Sequence, residues 1–243
     1  MLRYLILGWI LLMVAACGTP EKAVIDDADA PPALTLEQHA AAEDSIIAAM
    51  LNSYRGSYNE IMGVKIAEVA RPISFGKPES PLGNLVADAL RNRASRETRS
   101  FVNLAMIGES SFRLNLDEGK LTRGDVLEFM PYDNSLVLLK LKGESVYSLS
   151  QEIAGRGGVP VSGLRFRLEG KTARDVLVNS GIIDPEQHYW LATSSWIADG
   201  GEDFMALQKP VERVELPLSI RDLYIDYFRN QRMIAPETDG RIR

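Results

Sequence analysis

The chain has 243 residues with 27 basic and 33 acidic side chains, so its formal net charge is −6 and its isoelectric point is about 5.1. An acidic chain without a basic stripe is poorly suited to nucleic-acid backbones, because binding to them depends on Lys and Arg side chains that displace counterions. A small anionic ligand, which needs only one or two local cations, is compatible with this charge. Cys17 is the single cysteine, which excludes an intramolecular disulfide.

The first sixteen residues are typical of an export signal. Arg3 supplies a positive charge, and the apolar run from Leu5 to Val14 is shorter than the roughly 20 residues that span a bilayer. The following Ala15-Ala16-Cys17 resembles the lipobox of bacterial lipoproteins. We therefore expect residues 1–16 to be cleaved and Cys17 to carry lipid that holds the protein on a membrane. An ordinary cleaved signal is the alternative. Gly18 favours the outer membrane, with the protein facing the periplasm or the surface.

Residues 17–34 are rich in Ala, Asp and Pro and lack the apolar content that a folded segment needs. This composition predicts an extended acidic linker behind the anchor. Residues 35–243 are long enough to form one domain with a sizeable core.

Apolar spacing, capping residues and β-like runs predict the elements of this domain. Helices are predicted at Thr35–Tyr54, Ser80–Leu90, Thr122–Phe129 before Pro131, Gly143–Ile153 and Ile220–Phe228. Strands are predicted at Val64–Val69, Phe101–Ile107, Leu136–Leu141, Leu164–Leu168, Asp175–Asn179 and Tyr189–Thr193. Because the two kinds of element interleave without a repeat, we expect an α/β fold (mixed α+β) in which helices cover a layered mixed β-sheet.

The residues needed for most hydrolytic chemistry are missing from the sequence. His39 and His188 are the two histidines, and neither belongs to an H-x-H or H-E-x-x-H element, so we interpret both as surface residues. A dinuclear metal site needs several His and carboxylate ligands at short spacing. The sequence also contains no G-x-S-x-G motif and no phosphate-binding glycine loop. We therefore expect no catalytic residue and no metal in this chain.

Four segments, taken in order, resemble the C-terminal, substrate-binding domain of the 5′-nucleotidase family, which includes the UDP-sugar hydrolases. The first is Glu79–Leu90, which contains the sequences G-N-L and D-A, and the second is Gly108–Arg113. The third is Leu121–Gly143, which contains Pro131-Tyr132-Asp133-Asn134, and the fourth is Tyr189–Phe204, which contains Gly200-Gly201. Asp239-Gly240-Arg241-Ile242 also resembles the C-terminal tail of the family. The resemblance runs from about Ile66 to the end of the chain. It does not include the metallophosphatase half of the larger family members.

The resemblance implies a nucleotide site. Tyr132 and Trp196 match the two aromatic positions that sandwich the base, and stacking on such a ring contributes about 1–3 kcal/mol. Arg113 matches the arginine at the ribose-phosphate end of the ligand, and Glu202 or the adjacent Asp203 stands for the aspartate that holds the ribose hydroxyls. The alternatives are that both aromatic side chains belong to the core and that Arg113 forms a salt bridge with Asp117 or Glu118.

The sequence departs from the family pattern at the polar part of this site. Gly108 replaces an asparagine that helps to hold the base, Ser110 and Ser111 replace two glycines, and Pro78 beside Lys77 replaces an arginine. The loss of one polar contact and one cation would weaken nucleotide affinity by about 1–3 kcal/mol each.

We therefore expect a lipid-anchored nucleotide- or nucleoside-binding module of the 5′-nucleotidase family that takes part in extracytoplasmic nucleotide catabolism. A metallophosphatase on another chain would supply the divalent metals and hydrolyse the phosphoric ester, so the chain is not expected to be active alone. The alternative is a structural or interaction lipoprotein that keeps the fold and has lost the site.

Overall fold

The computed structural model describes the backbone of residues 36–113 and 115–243, and the side chains from residue 44 onwards except those of residues 57 and 114. The export signal, Cys17 and the linker therefore lie outside the described residues, as does the side chain of His39. The described residues fall into two units that divide after Asn52, and the second unit contains all of the described strands.

Six α-helices are described in chain order: α1 Leu36–Met62, α2 Pro81–Thr98, α3 Arg123–Phe129, α4 Gly143–Gly155, α5 Ser195–Ala198 and α6 Ile220–Gln231. The described strands are β1 Lys65–Val69, β2 Leu104–Met106, β3 Gly119–Thr122, β4 Ser135–Lys142, β5 Val161–Ser162, β6 Leu164–Glu169, β7 Thr172–Val178, β8 Gly181–Ile182, β9 His188–Ser194, β10 Glu212–Ser219 and β11 Met233–Ile234.

The central sheet has five strands in the order β10-β4-β9-β2-β5, and it is mixed because β2 and β9 run parallel while the other neighbours are antiparallel. Two smaller sheets have the orders β11-β1-β3 and β6-β7-β8. The predicted α/β architecture with a mixed sheet and covering helices is confirmed. The two additional small sheets were not predicted.

Strand β4 is buried on both faces, which places the core on both sides of the central sheet. Leu136 and Leu138 belong to one apolar cluster, together with residues of α2, α3 and α6. Val137 and Leu139 belong to a second cluster, together with residues of α4, β6 and β7. Successive side chains of a strand point to opposite faces, so the stretch Leu136–Leu139, which is covered on both sides, is apolar at every position.

The capping signals predicted two helices correctly. Ser80 caps α2, its Oγ accepting a hydrogen bond from the N–H of Gly83 at 3.1 Å, and Pro81 is the first helical residue. Thr122 caps α3 and forms a reciprocal capping box with Asp125.

The predicted strands differ from the structure in several places. The strand expected at Phe101–Ile107 is restricted to Leu104–Met106, because the side-chain oxygen of Asn103 accepts the N–H of Trp190 at 2.9 Å in place of a backbone pairing. Strand β10 was not predicted. It is an edge strand of exposed and half-buried residues that contains Pro217, a residue that normally argues against a strand.

The polar residues of the Glu79–Leu90 motif bind the C-terminal tail of the domain. Both carboxylate oxygens of Asp88 accept hydrogen bonds from the guanidinium of Arg241, at 2.9 and 3.0 Å, and Asp239 accepts a further pair. Glu79 accepts from the side chain of Asn84 at 2.6 Å and from the backbone N–H of Asp239 at 2.8 Å. These motif residues thus have a structural role.

Candidate ligand-binding site

Three segments that carry predicted site residues meet at one end of the central sheet. Because β2 and β9 are parallel, the chain leaves the sheet at the same end after Met106 and after Ser194. Strand β4 is antiparallel to β9, with Leu136 opposite Ser194, so the loop before β4 lies at this end as well. In open α/β sheets the carboxyl ends of parallel strands are a common position for ligand sites.

A cavity of about 400 Å³ lies at this end and is lined by Ser110, Ser111, Arg113, Tyr132, Asn134 and Trp196. This volume falls within the range of about 300–1,000 Å³ that is usual for small-molecule sites. Tyr132 is 41% exposed and Trp196 is 52% exposed, so neither ring is a core side chain. Three of the five predicted ligand-binding residues, Arg113 and the two aromatic residues, therefore line a single cavity.

The position of Trp196 is set by the short helix α5. The Oγ of Ser194 caps this helix by accepting from the N–H of Ile197 at 3.2 Å. The Oγ of Ser195 accepts from the N–H of Ser135 at 3.2 Å, which ties α5 to the start of β4. The indole rests on Gly201, where any Cβ would overlap with the ring. Gly201 thus allows the close approach of backbone and ring.

Arg113 stacks on Tyr132. Its guanidinium carbon lies 4.9 Å from the centre of the phenol ring, which is a cation–π arrangement. Within the described part of the chain Arg113 forms no ion pair, so the salt bridge to Asp117 or Glu118 that we considered as an alternative is absent there. The pair places a positive charge and an aromatic face on the same wall of the cavity.

Glu202 lies behind the wall formed by Ser110. One oxygen of its carboxylate accepts from the backbone N–H of Ser110 at 3.1 Å and also from the Ser110 hydroxyl. The carboxylate stands against Gly108, where a side chain would overlap with it. Neither Glu202 nor the adjacent, exposed Asp203 lines the cavity itself.

The loop that carries Glu202 has an unusual backbone. Glu202 and Asp203 adopt left-handed conformations, with φ of 60° and 50°, which cost free energy for residues other than glycine. Arg156 stabilises this conformation by donating to the carbonyl oxygens of Glu202 and Asp203, at 2.6 and 3.2 Å. Its guanidinium also lies 4.1 Å from the ring centre of the buried Phe204. The contacts of Arg156 thus hold the carboxylate of Glu202 near the cavity.

The loop that carries Tyr132 is attached to the start of α6. Asp133 accepts a hydrogen bond from the Ser219 hydroxyl at 3.0 Å and pairs with Arg221 at 3.2 Å. The hydrogen bond from the Ser219 hydroxyl lowers the pKa of the Asp133 carboxyl below its usual value, and the hydrogen bond and charge of Arg221 lower it further. Asp133 therefore has a structural role and does not line the cavity.

Three cavity residues were not among the predicted site residues: Ser110, Ser111 and Asn134. Ser111 is 1% exposed, and its hydroxyl has no hydrogen-bond partner within the described residues. Asn134 could have been identified from its place in the Pro131–Asn134 segment. The two serines stand where the family has glycines, so the pattern contained no signal for them.

In the part of the chain that the structure describes, no three His, Cys, Asp or Glu side chains lie close enough to hold a metal ion. The same part contains no helix with both the length and the apolar character required to cross a membrane. His188, the histidine whose side chain is described, is exposed as predicted.

A family profile described as "5′-nucleotidase, C-terminal domain" matches residues 63–209. An apyrase of Aedes albopictus is 26% identical over 208 residues, which cover 76% of this chain and 36% of the apyrase. The trifunctional nucleotide phosphoesterase protein YfkN of Bacillus subtilis is 24% identical over 182 residues, covering 68% of this chain and 12% of that protein. The 5′-nucleotidase precursor from Thermus thermophilus superposes with a TM-score of 0.69 and 26% identity, over 82% of this chain and 43% of that one.

The chain thus spans about a third or less of the length of these curated relatives. The profile matches more than half of the chain and includes all of the residues that line the cavity. The chain belongs to the 5′-nucleotidase C-terminal domain family.

Proposed function

We propose that this protein binds a nucleoside or nucleotide in the cavity between Tyr132 and Trp196. The observation that carries the proposal is that two half-exposed aromatic rings line one cavity of about 400 Å³. A planar base can stack on such rings without any particular hydrogen bond, so Tyr and Trp can act in place of the phenylalanines of the family. Arg113, Asn134 and the serines 110 and 111 add polar groups around the aromatic surface.

Isothermal titration of the purified full chain with adenosine, AMP, uridine and UMP tests this proposal. We expect binding in the micromolar to millimolar range that Trp196→Ala and Tyr132→Ala each weaken by at least fivefold. Tyr147→Ala is the matched control, because Tyr147 is 49% exposed and does not line the cavity. If none of the four ligands binds at millimolar concentration while the protein remains folded, the alternative of a structural lipoprotein without a site is correct.

The proposal includes a metallophosphatase on a separate chain that supplies the metals and the hydrolytic chemistry. The similarity to one part of an apyrase and of a nucleotide phosphoesterase supports it. A surface for such a partner is available on the C-terminal part of α1, where Tyr54, Tyr58 and Ile61 follow one another at spacings of four and three and are each about half exposed or more. Exposed apolar surfaces of this kind are typical of protein–protein contacts.

The partner can be tested with an exported metallophosphatase encoded in the same genome. We expect the full chain to form a complex with it on size-exclusion chromatography, and a Tyr54→Glu, Tyr58→Glu double variant to lose this complex while it still binds the ligand. If the purified chain hydrolyses AMP by itself in a metal-dependent reaction, the need for a partner is refuted.

We further propose that lipid on Cys17 anchors the protein to a bacterial membrane, in keeping with the signal-like residues 1–16. Two or more acyl chains hold a protein on a bilayer almost permanently, since each buried methylene contributes about 0.8 kcal/mol. We expect the wild type in the membrane fraction and the Cys17→Ser variant in the soluble fraction of fractionated cells. A Cys17→Ser variant that stays with the membrane would refute the lipid anchor.

A further inference from the structure

The charges around the cavity offer little attraction for a phosphate group. Arg113 is the only charged side chain among the described residues of the lining, and its guanidinium lies over the ring of Tyr132. A nucleoside monophosphate carries almost two negative charges at neutral pH, and taking such a group out of water is costly unless it is paired. A single guanidinium that is already in contact with an aromatic ring compensates only part of this charge.

The other cations near the cavity are bound to protein groups. Arg156 donates to the carbonyl oxygens of the Glu202 loop. Lys77 donates to the carbonyl oxygen of Arg156 at 2.9 Å and pairs with Glu109 at 3.6 Å. Two further arginines beside the site are also paired, Arg221 with Asp133 and Arg213 with Asp199 and Glu215. Recruiting any of them for a ligand phosphate would break an existing contact.

Among the described residues, no cation bonds to the carboxylate of Glu202, since Arg156 donates to the backbone carbonyl oxygens of the same loop. The carboxylate forms no ion pair there, and its contacts are the two donors of Ser110, a residue of the cavity wall. A carboxylate that bonds to a residue of the wall and forms no direct ion pair lowers the electrostatic potential inside the cavity. It repels a phosphate, whereas it can strengthen hydrogen bonds from neutral hydroxyl groups of a sugar.

The hydroxyl of Ser111 also favours an uncharged ligand. It is buried, lacks a hydrogen-bond partner in the described residues, and belongs to the cavity lining. A buried polar group without a partner has lost its hydrogen bonds to water and gained none in return, which destabilises the empty site. A neutral base or sugar that forms a hydrogen bond with this hydroxyl would recover that free energy without bringing a charge into the cavity.

We infer that the site selects uncharged nucleosides over nucleotides, with Glu202 as the specificity-determining residue. This inference rests on the proposed function, because it concerns the ligand of the same cavity. The ligand would then be the product of a phosphatase reaction, not its substrate, and the chain would retain nucleosides after dephosphorylation. Selectivity is the difference between the affinities for two ligands, and here the negative charge of Glu202 lowers the affinity for the nucleotide.

The test is a pairwise comparison of adenosine with AMP, and of uridine with UMP, by isothermal titration of the full chain at pH 7.5. We expect the dissociation constant of the nucleotide to be about three to ten times that of its nucleoside, since the charges are partly screened by solvent. Glu202→Gln keeps an oxygen that can accept from Ser110 and removes the charge, so it should shift the ratio towards the nucleotide by at least threefold. Glu186→Gln is the matched control on an exposed turn before β9, at the opposite end of the sheet, and should leave the ratio unchanged.

Each outcome separates the inference from the proposed function. If AMP binds more tightly than adenosine to the wild type, the selectivity for nucleosides is refuted while the proposed ligand site stands. If Glu202→Gln leaves the ratio as it is, Glu202 does not determine specificity. If no nucleoside or nucleotide binds at all, the proposed function fails and the inference fails with it.

Discussion

The carboxylate of Glu202 occupies the space that a side chain at Gly108 would need, since a Cβ at Gly108 would stand 2.6 Å from the Cδ of Glu202. The two departures from the family pattern at these positions are therefore physically coupled. The missing side chain at 108 leaves room for the longer acid at 202, which then bonds to Ser110. The space of the amide side chain that the family has at position 108 is thus taken up by the carboxylate at position 202.

A double-mutant cycle tests this coupling. Gly108 has a φ of −73°, which alanine adopts without strain, so the cost of Gly108→Ala comes from the overlap with Glu202. We expect Gly108→Ala to lower the free energy of unfolding by about 1–3 kcal/mol, as overpacking usually does. In the background of Glu202→Ala the same substitution should cost much less. Equal costs in the two backgrounds, measured by urea unfolding, would show that the two positions are independent.

Gly201→Ala should act on the ligand site through Trp196. A Cβ at Gly201 would overlap with the indole, which is half exposed and can move away without unfolding the core. We expect a changed fluorescence of Trp196, a loss of at least fivefold in nucleoside affinity, and a melting temperature close to that of the wild type. Gly155→Ala serves as the control, because a Cβ at Gly155 would meet no atom within 4 Å. Unchanged affinity in Gly201→Ala would argue that the indole does not need its present position.

Arg241 should be essential for stability although it is far from the candidate site in sequence. It is 8% exposed and binds Asp88, Asp239 and the carbonyl oxygen of Val161. Removing one partner of a buried ion pair costs about 3–5 kcal/mol, and we expect the lower end for Arg241→Met because both aspartates are partly exposed. The exposed Arg243→Met is the control, with an expected change below about 0.5 kcal/mol. Urea unfolding of both variants measures the two changes in the free energy of unfolding.

Asp239 should make stability sensitive to acid. The hydrogen bond from Arg241, together with the charges of Arg241 and Arg165, lowers the pKa of the Asp239 carboxyl against the opposing effect of burial. A carboxyl whose pKa is lower in the folded state stabilises the fold above its unfolded pKa, near 3.9, and this contribution disappears as the pH falls through the folded-state pKa. We expect Asp239→Asn to flatten the loss of unfolding free energy below about pH 4.

The control for the pH series is Asp117→Asn. Asp117 is exposed and forms no ion pair with other described residues, so this variant should follow the wild-type curve. If the unfolding free energy of Asp239→Asn falls with decreasing pH as steeply as that of the wild type, Asp239 is not a source of the acid sensitivity. Unfolding in urea at several pH values between 3 and 7 provides the measurement.

Local signals predicted the elements whose ends are determined by a capping residue or by an apolar run. Ser80 and Thr122 marked the starts of α2 and α3 within one residue, and the continuous apolar run of β4 was correctly read as a strand. These features depend on neighbours in sequence or on burial on both faces. Edge strand β10 depends on pairing with β4 across about 75 residues, which no local pattern contains.

For the candidate site, the sequence indicated three of the six residues that line the cavity but not how they are arranged. The resemblance selected Arg113, Tyr132 and Trp196, which the fold brings to one cavity. It did not indicate that Arg113 stacks on Tyr132, that Glu202 turns towards Ser110, or that the hydroxyl of Ser111 lacks a partner among the described residues. Each of these relationships depends on two loops that are far apart in sequence.

The binding of the tail to α2 determines the order in which the domain can fold. Besides the bonds of Arg241, strand β1 pairs with β11, and Ile242 pairs with Phe166. The first strand of the domain, which also pairs with β3, and the strand that carries Phe166, which also pairs with β7, therefore complete their pairing only when residues beyond 230 are present. During synthesis from the N-terminus, the domain therefore stays incomplete and prone to association until residue 242 has emerged.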